Sequence, residues 1–176
     1  MVGRARELVA IDRALHAAAA GHGGLLLVSG EAGIGKSRLL AEAARRARDM
    51  GMAVLSGRAV PHTGPFRPVA EALVPVAPPV LAADPRLVVY RSALGQLLPG
   101  WPVDAVADRR LVDPVVLLEE AVLELLGVVA TPVGAVVILD DLHWADPDTT
   151  ALLWSMLSPP SGLASSLAIQ APTPSG

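Results

Sequence analysis

Eight residues, Gly30-Glu31-Ala32-Gly33-Ile34-Gly35-Lys36-Ser37, mark a change from one hydrophobic period to another. Before them, Leu25-Leu26-Leu27-Val28 is a short continuous apolar run bounded by glycines, the pattern of a strand buried on both faces of a parallel sheet. After them, residues 36–50 repeat at helical spacing. Leu39, Leu40, Ala43, Ala44 and Ala47 fall on one side, and Arg45, Arg46 and Arg48 fall mostly on a face read as solvated. Residues 52–56 supply a second strand. Strand, glycine-rich turn, helix and strand in that order restrict the chain to an α/β fold with the turn at the carboxyl end of a parallel strand.

The same eight residues match G-x-x-x-x-G-K-[ST] at every required position. Glycines in such a loop let backbone N–H groups turn inward around a phosphate, and the helix beginning near Lys36 adds its positive dipole end. Lys36 is the chain's only lysine, so a compact ammonium occurs only where it can meet the β- and γ-phosphates of a nucleotide. The Ser37 hydroxyl can take one position on Mg²⁺. Gly30, Glu31, Ala32, Gly33, Ile34, Gly35, Lys36 and Ser37, with Arg38 beside them, are therefore the expected nucleotide contacts.

A third apolar run, Ala135-Val136-Val137-Ile138-Leu139, ends in Asp140-Asp141. A magnesium triphosphate needs one acid at the end of a nearby strand to hold the metal's water shell and another to orient or activate the attacking water. Asp140 fits the first role and Asp141 the second. The expected metal set is Ser37 and Asp140, and the expected catalytic set is Asp141 and Lys36.

Bulk properties narrow the alternatives. A chain of 176 residues can bury one respectable core. With 14 basic against 17 acidic residues and a net charge of −3, it has no general attraction for nucleic acid or anionic lipid. The absence of cysteine excludes disulfides, zinc–thiolate sites and thiol catalysis. Residues 1–7 lack the apolar stretch of a signal peptide, and the greasiest region, 115–139, is broken by Glu119, Glu120, Glu124, Pro132 and Gly134. A soluble, cytoplasmic protein with no membrane partner is expected.

Leu8, Ile11 and Leu15 predict a first helix that stops at Gly21. Residues 57–132 hold most of the chain's 16 prolines, which cut the segment into short pieces. Helices are expected at 67–74 and 87–98, and a longer one from Asp113-Pro114, with aspartate at the N-cap and proline at the first helical position. In that longer helix Leu118, Val122 and Leu125 form the apolar face, and Glu120 and Glu124 lie toward solvent. The segment 58–132 is thus read as a helical insertion. A second Asp-Pro start, Asp146-Pro147, opens a helix running to about residue 157. Residues 158–176 look like a frayed tail in which only Leu167-Ala168-Ile169 resembles a strand.

Taken together, Val2-Gly3-Arg4 with Glu7-Leu8, the loop 30–37 followed by Arg38-Leu39-Leu40, Pro65-Phe66-Arg67-Pro68, and Asp140-Asp141-Leu142-His143-Trp144-Ala145-Asp146 form a recognisable set. Over about residues 1–157 the chain resembles the ATPase module of large LuxR-type bacterial transcriptional regulators, an AAA-like domain of the STAND class related to origin-recognition ATPases. The resemblance implies a P-loop NTPase three-layer sandwich with a parallel sheet, using ATP and Mg²⁺. It places Gly3 and Arg4 near the adenine side and makes Asp140 and Asp141 the Walker B acids. His143 and Trp144 then lie where they can report nucleotide state to a neighbouring domain, the plainer alternative being that Trp144 packs the turn and His143 caps it. Self-association or partner domains in a longer parent are implied, without direct nucleic-acid binding by these residues.

The chain departs from that family near its end. The family continues into a strand lying between the phosphate-loop strand and the Walker B strand, then a sensor arginine and a lid; here Ala171-Pro172-Thr173-Pro174 supplies no such arginine. Residues 167–171 occupy about the place of that strand; the C-terminal part of the sheet and the lid are expected to be incomplete, with a gap at the sheet's centre if the strand is absent or poorly formed, an ATPase core over 1–157 and a truncated tail over 158–176. The leading functional expectation is an ATP-Mg²⁺-binding regulatory NTPase in which binding survives better than turnover. Two other readings stand beside it. One is a P-loop small-molecule kinase drawing lid arginines from Arg86, Arg91, Arg109 and Arg110, and the other is a remnant without independent function. An ATP-binding-cassette subunit is disfavoured, since no L-S-G-G-Q-like signature precedes Asp140.

Overall fold

The structure is a computed structural model that describes residues 4–31, 33–62, 64–77, 79–103, 113–156 and 165–172. Among these the order is α1 (Ala5–Ala19), β1 (Gly24–Gly30), α2 (Lys36–Asp49), β2 (Ala53–Arg58), α3 (Arg67–Leu73), α4 (Arg91–Leu97), α5 (Pro114–Val129), β3 (Ala135–Asp140), α6 (Pro147–Met156) and β4 (Ser165–Pro172). Short 3-10 turns occupy Val74–Val76, Pro79–Ala83, Val88–Tyr90 and Leu142–Trp144. The helix expected over 87–98 is accordingly a 3-10 turn followed by α4.

The strands form one parallel sheet in the order β1-β4-β3-β2. Its centre explains the layering. Along β3, Ala135, Val137 and Leu139 enter one buried cluster with Leu94 of α4, Leu125 of α5 and Leu152 of α6, while Val136 and Ile138 enter a second with Ile11 of α1 and Leu39 and Ala47 of α2. A strand buried on both faces must read as a continuous apolar run, and this one does. Each fully buried leucine contributes about 1.5–3 kcal/mol. Helices α1 and α2 cover one face of the sheet and the helical insertion, with α6, covers the other.

The gap that a missing central strand would leave does not occur. β4 lies between β1 and β3, pairing from Gly24↔Ser166 to Gly30↔Pro172 on one side and from Ala135↔Ser165 to Leu139↔Ile169 on the other. Ladder partners on both sides hold a weakly strand-like stretch extended, because strand preference depends on its neighbours more than on composition. Residues 165–172 are therefore a paired strand rather than a frayed tail, and the rest of 158–176 lies outside the described residues.

Two further features fix the layers. Asp113 caps α5, accepting a 2.9 Å bond from the Val115 N–H, as its Asp-Pro start predicts. The arginine face of α2 is not simply solvated: Arg46 reaches across to Asp12 of α1 at 2.5 and 2.6 Å and also bonds Glu42 at 2.8 Å. On the opposite face α3 sits directly on β2 at Gly57. A Cβ built there would lie 1.8 Å from the Pro68 carbonyl oxygen, so only glycine permits this approach.

Candidate functional site

A parallel sheet brings all its carboxyl ends to one edge, the usual location of ligand crevices in α/β folds. Here that edge holds Gly30 of β1, Arg58 of β2 and Asp140 of β3, and the register sets Arg58 opposite Asp140. The loop 31–35 leads from β1 into α2. Its last residue, Gly35, adopts φ 90° at the α2 N-cap, a left-handed conformation that a side chain disfavours. Lys36 folds its ammonium back over the loop, donating to the Gly30 carbonyl at 2.8 Å and the Glu31 carbonyl at 2.9 Å. Arg4 donates to the Ile34 carbonyl and, at 3.5 Å, to that of Gly35. Arg4 is thus joined to the loop, whereas Gly3 and Ala32 lie outside the described residues. Glu31, Gly33, Ile34 and Arg38 are exposed around the loop.

Ser37 and Asp140 line one open cleft of about 250 Å³, bounded by α2 on one side and β2 and β3 on the other. Leu40, Ala41 and Ala44 form the α2 wall, and Arg58 and Glu71 complete the rim. The two residues expected to share a metal therefore line the same cleft from sequence-distant elements. One oxygen of Asp140 also accepts a 2.8 Å bond from the Asp141 N–H. A backbone that turns at glycines, with an ammonium and a hydroxyl at a helix N-terminus and a carboxylate at the end of β3, suits a nucleotide phosphate chain with Mg²⁺.

Asp141 behaves differently from Asp140. Its φ of 56° is left-handed, a conformation aspartate tolerates better than most residues, and it starts the 3-10 turn Leu142–Trp144. Its carboxylate is held by Arg58, whose Nε donates to Oδ2 at 2.6 Å while Nη2 donates to the same oxygen. That hydrogen bond, with the attraction of the Asp141 charge, raises the Arg58 pKa above its ordinary value. Nothing in the local sequence singled out Arg58; the available signal was its place at the carboxyl end of a strand.

Beyond the acids, the His143 and Trp144 rings lie 4.8 Å apart and tilted at 45°. Trp144 is 51% exposed, so it does not pack beneath the turn. Asp146 caps α6, accepting from the Thr149 N–H at 2.8 Å and from the Thr149 hydroxyl. Thr149 is fully buried and accepts a 2.9 Å bond from the Phe66 N–H. Burial pushes the Asp146 carboxyl pKa up, but hydrogen bonds from the Thr149 side chain and backbone outweigh it and the net shift is down. Pro65-Phe66-Arg67-Pro68 and the stretch after Asp141 are thereby joined in space.

Comparison with known proteins points to the same fold. A family model described as an AAA ATPase domain matches residues 1–169. An uncharacterized protein, R02095, of Rhizobium meliloti (strain 1021) is 31% identical over an alignment covering 87% of this chain and 16% of that protein. The chain thus spans about one sixth of the length of that relative.

Proposed function

The chain belongs to the AAA ATPase domain family, and on that premise we propose that it is an ATP-Mg²⁺-binding regulatory NTPase module, a nucleotide-dependent switch with slow hydrolysis. The observation that carries this reading is that Ser37, next to Lys36 of the loop, and Asp140 line one cleft. We assign the β- and γ-phosphates to the loop N–H groups and the Lys36 ammonium, with Arg4 and Gly3 toward the base and Arg38 at the loop's flank. Ser37 and Asp140 are assigned to the metal. Mg²⁺ held there would supply positive charge to offset the negative charge of the terminal phosphates. Asp141 is assigned to the water: the water oxygen bonds the γ-phosphorus as the bridging P–O bond to ADP breaks, and the water's proton passes to Asp141.

The setting that fits is a longer signalling protein, of LuxR-type transcriptional regulators or a related STAND-class group, in which self-association or partner domains read the switch. A relative about six times longer supports a module within a larger chain. The cytoplasm is the compartment where ATP is available to such a module, and no described helix is long and apolar enough to cross a membrane.

The kinase reading loses support from the arginines it needs. Arg86 pairs with Asp84 at 3.0 Å and Arg91 donates to the Ala82 carbonyl at 2.9 Å, which commits both to local structure; Arg109 and Arg110 lie outside the described residues. Limited proteolysis with and without ATP-Mg²⁺, followed by tracing the γ-phosphate, tests the proposal. Protection by nucleotide and release of inorganic phosphate are expected. No protection would favour a remnant, and phosphate on a small-molecule acceptor would favour a kinase.

A further inference from the structure

The two edges of the sheet are finished differently. β2, at one edge, ends in the charge of Arg58 and has α3 resting on it at Gly57. β1, at the other, pairs with β4 on one side and, among the described residues, with no strand on its outer side. Its residues, Gly24-Leu25-Leu26-Leu27-Val28-Ser29-Gly30, include no proline and no charge, the devices by which an edge strand avoids pairing with a further strand.

The faces of β1 differ as well. Leu26 and Val28 pack toward α1 and α2, in the cluster that holds Ile11 and Leu39. Alternation turns Leu25 and Leu27 to the opposite face, where they are 42% and 55% exposed. On that same face β3 buries Val137 and Leu139 beneath the insertion and α6. The cover that these helices give to β3 therefore stops short of β1, leaving an open edge and two open leucines side by side.

An edge without charge has no electrostatic means of selecting an oppositely charged partner. What it has is self-complementarity. Leu25-Leu26-Leu27 reads the same in both directions, so a second copy laid antiparallel about a twofold axis at Leu26 sets Leu25 of each copy opposite Leu27 of the other. We propose that β1 is a self-association edge, through which two copies join their four-stranded sheets into one continuous sheet. Backbone groups on the outer side of β1 gain ladder partners, and Leu25 and Leu27 of both copies form one apolar cluster on the face that the helices leave open. The twofold closes the contact at a dimer, because each copy uses its one uncharged edge. Antiparallel pairing points the two loops 31–35 away from each other, so association needs no nucleotide and stands apart from the ATPase reading.

Sedimentation equilibrium of the whole chain without nucleotide, and cross-linking through cysteines placed in a chain that has none of its own, test this. A reversible monomer–dimer equilibrium is expected for the wild type. Leu25→Lys and Leu27→Lys should each weaken it at least about tenfold by placing charge in the leucine cluster. Val74→Lys, at an exposed valine of the insertion, should change it less than about twofold. When Leu25→Cys is mixed with Leu27→Cys, oxidation should give the mixed dimer in preference to either variant joined to itself, since only the mixed pair is directly opposite. A wild type that stays monomeric up to about 100 μM overturns the proposal, as does a dimer that both lysine variants, folded by circular dichroism, form as well as the wild type. Assembly beyond the dimer overturns the twofold closure, and preferential cross-linking within one cysteine variant overturns the register.

Discussion

Replacing Gly57 with alanine tests how the insertion is seated beside the site. The new Cβ would stand 1.8 Å from the Pro68 carbonyl oxygen, 2.8 Å from its carbon and 3.2 Å from the Ala72 nitrogen. All three obstacles are backbone, so no side chain can rotate aside, and α3 must lift from β2 by more than about 1 Å. That lift disturbs Val69, Ala72 and Leu73, which are buried in the larger core cluster. Overpacking of this kind costs about 1–3 kcal/mol, and a rigid obstacle places it at the upper end. The alanine recovers about 0.5–1 kcal/mol because glycine is unfavourable inside a strand. The net loss is about 2–2.5 kcal/mol, a fall in Tm on the order of 4–10 °C for a chain of this size. Urea unfolding followed by circular dichroism measures it. Gly64→Ala is the control, since a Cβ there meets nothing within 4 Å and should change stability by less than about 0.5 kcal/mol. A Gly57→Ala protein as stable as that control would refute the close approach of α3.

Two other perturbations probe the contacts that organise the fold around the site. Thr149→Val keeps the shape but removes the acceptor of the Phe66 N–H, so denaturant unfolding should show a loss of about 1–3 kcal/mol, while Thr149→Ser should stay close to wild type. Hydrogen bonds from Arg45 and then Arg46 lower the Glu42 pKa from its ordinary 4.5 to about 2. A carboxyl depressed in the folded state stabilises the protein above its ordinary pKa, and the contribution is lost as pH falls through the folded value. The stability difference between wild type and Glu42→Gln should therefore be full near neutral pH, shrink below about pH 4.5 and vanish near about pH 2. A difference independent of pH would count against the Arg45–Glu42–Arg46 contact.

The site's halves were legible because each is written locally. The loop 30–37 has its own strand and helix on either side, and Asp140-Asp141 ends an apolar run that must be buried on both faces. The starts of α5 and α6 were legible for the same reason, since Asp-Pro supplies cap and first turn within two residues. What escaped depends on distant pairing. β4 holds its conformation through ladders to β1 and β3 that its short, mixed sequence does not announce. Arg58 meets Asp141 across 83 positions, and its role depends on a register that becomes visible only when β2 and β3 lie side by side. Arg46 looked like part of a solvated face until α1 brought Asp12 against it.

Lys36 carries the central claim, because its ammonium sits over the loop at 2.8 Å from the Gly30 carbonyl and 2.9 Å from that of Glu31, at the mouth of the helix that begins the site. Calorimetric titration of ATP-Mg²⁺ into wild type and Lys36→Ala, with both proteins shown to share the same circular dichroism spectrum, is the most direct measurement. Loss of a charge-assisted phosphate contact predicts at least about tenfold weaker binding by the variant. Equal affinities for the two proteins would contradict the account.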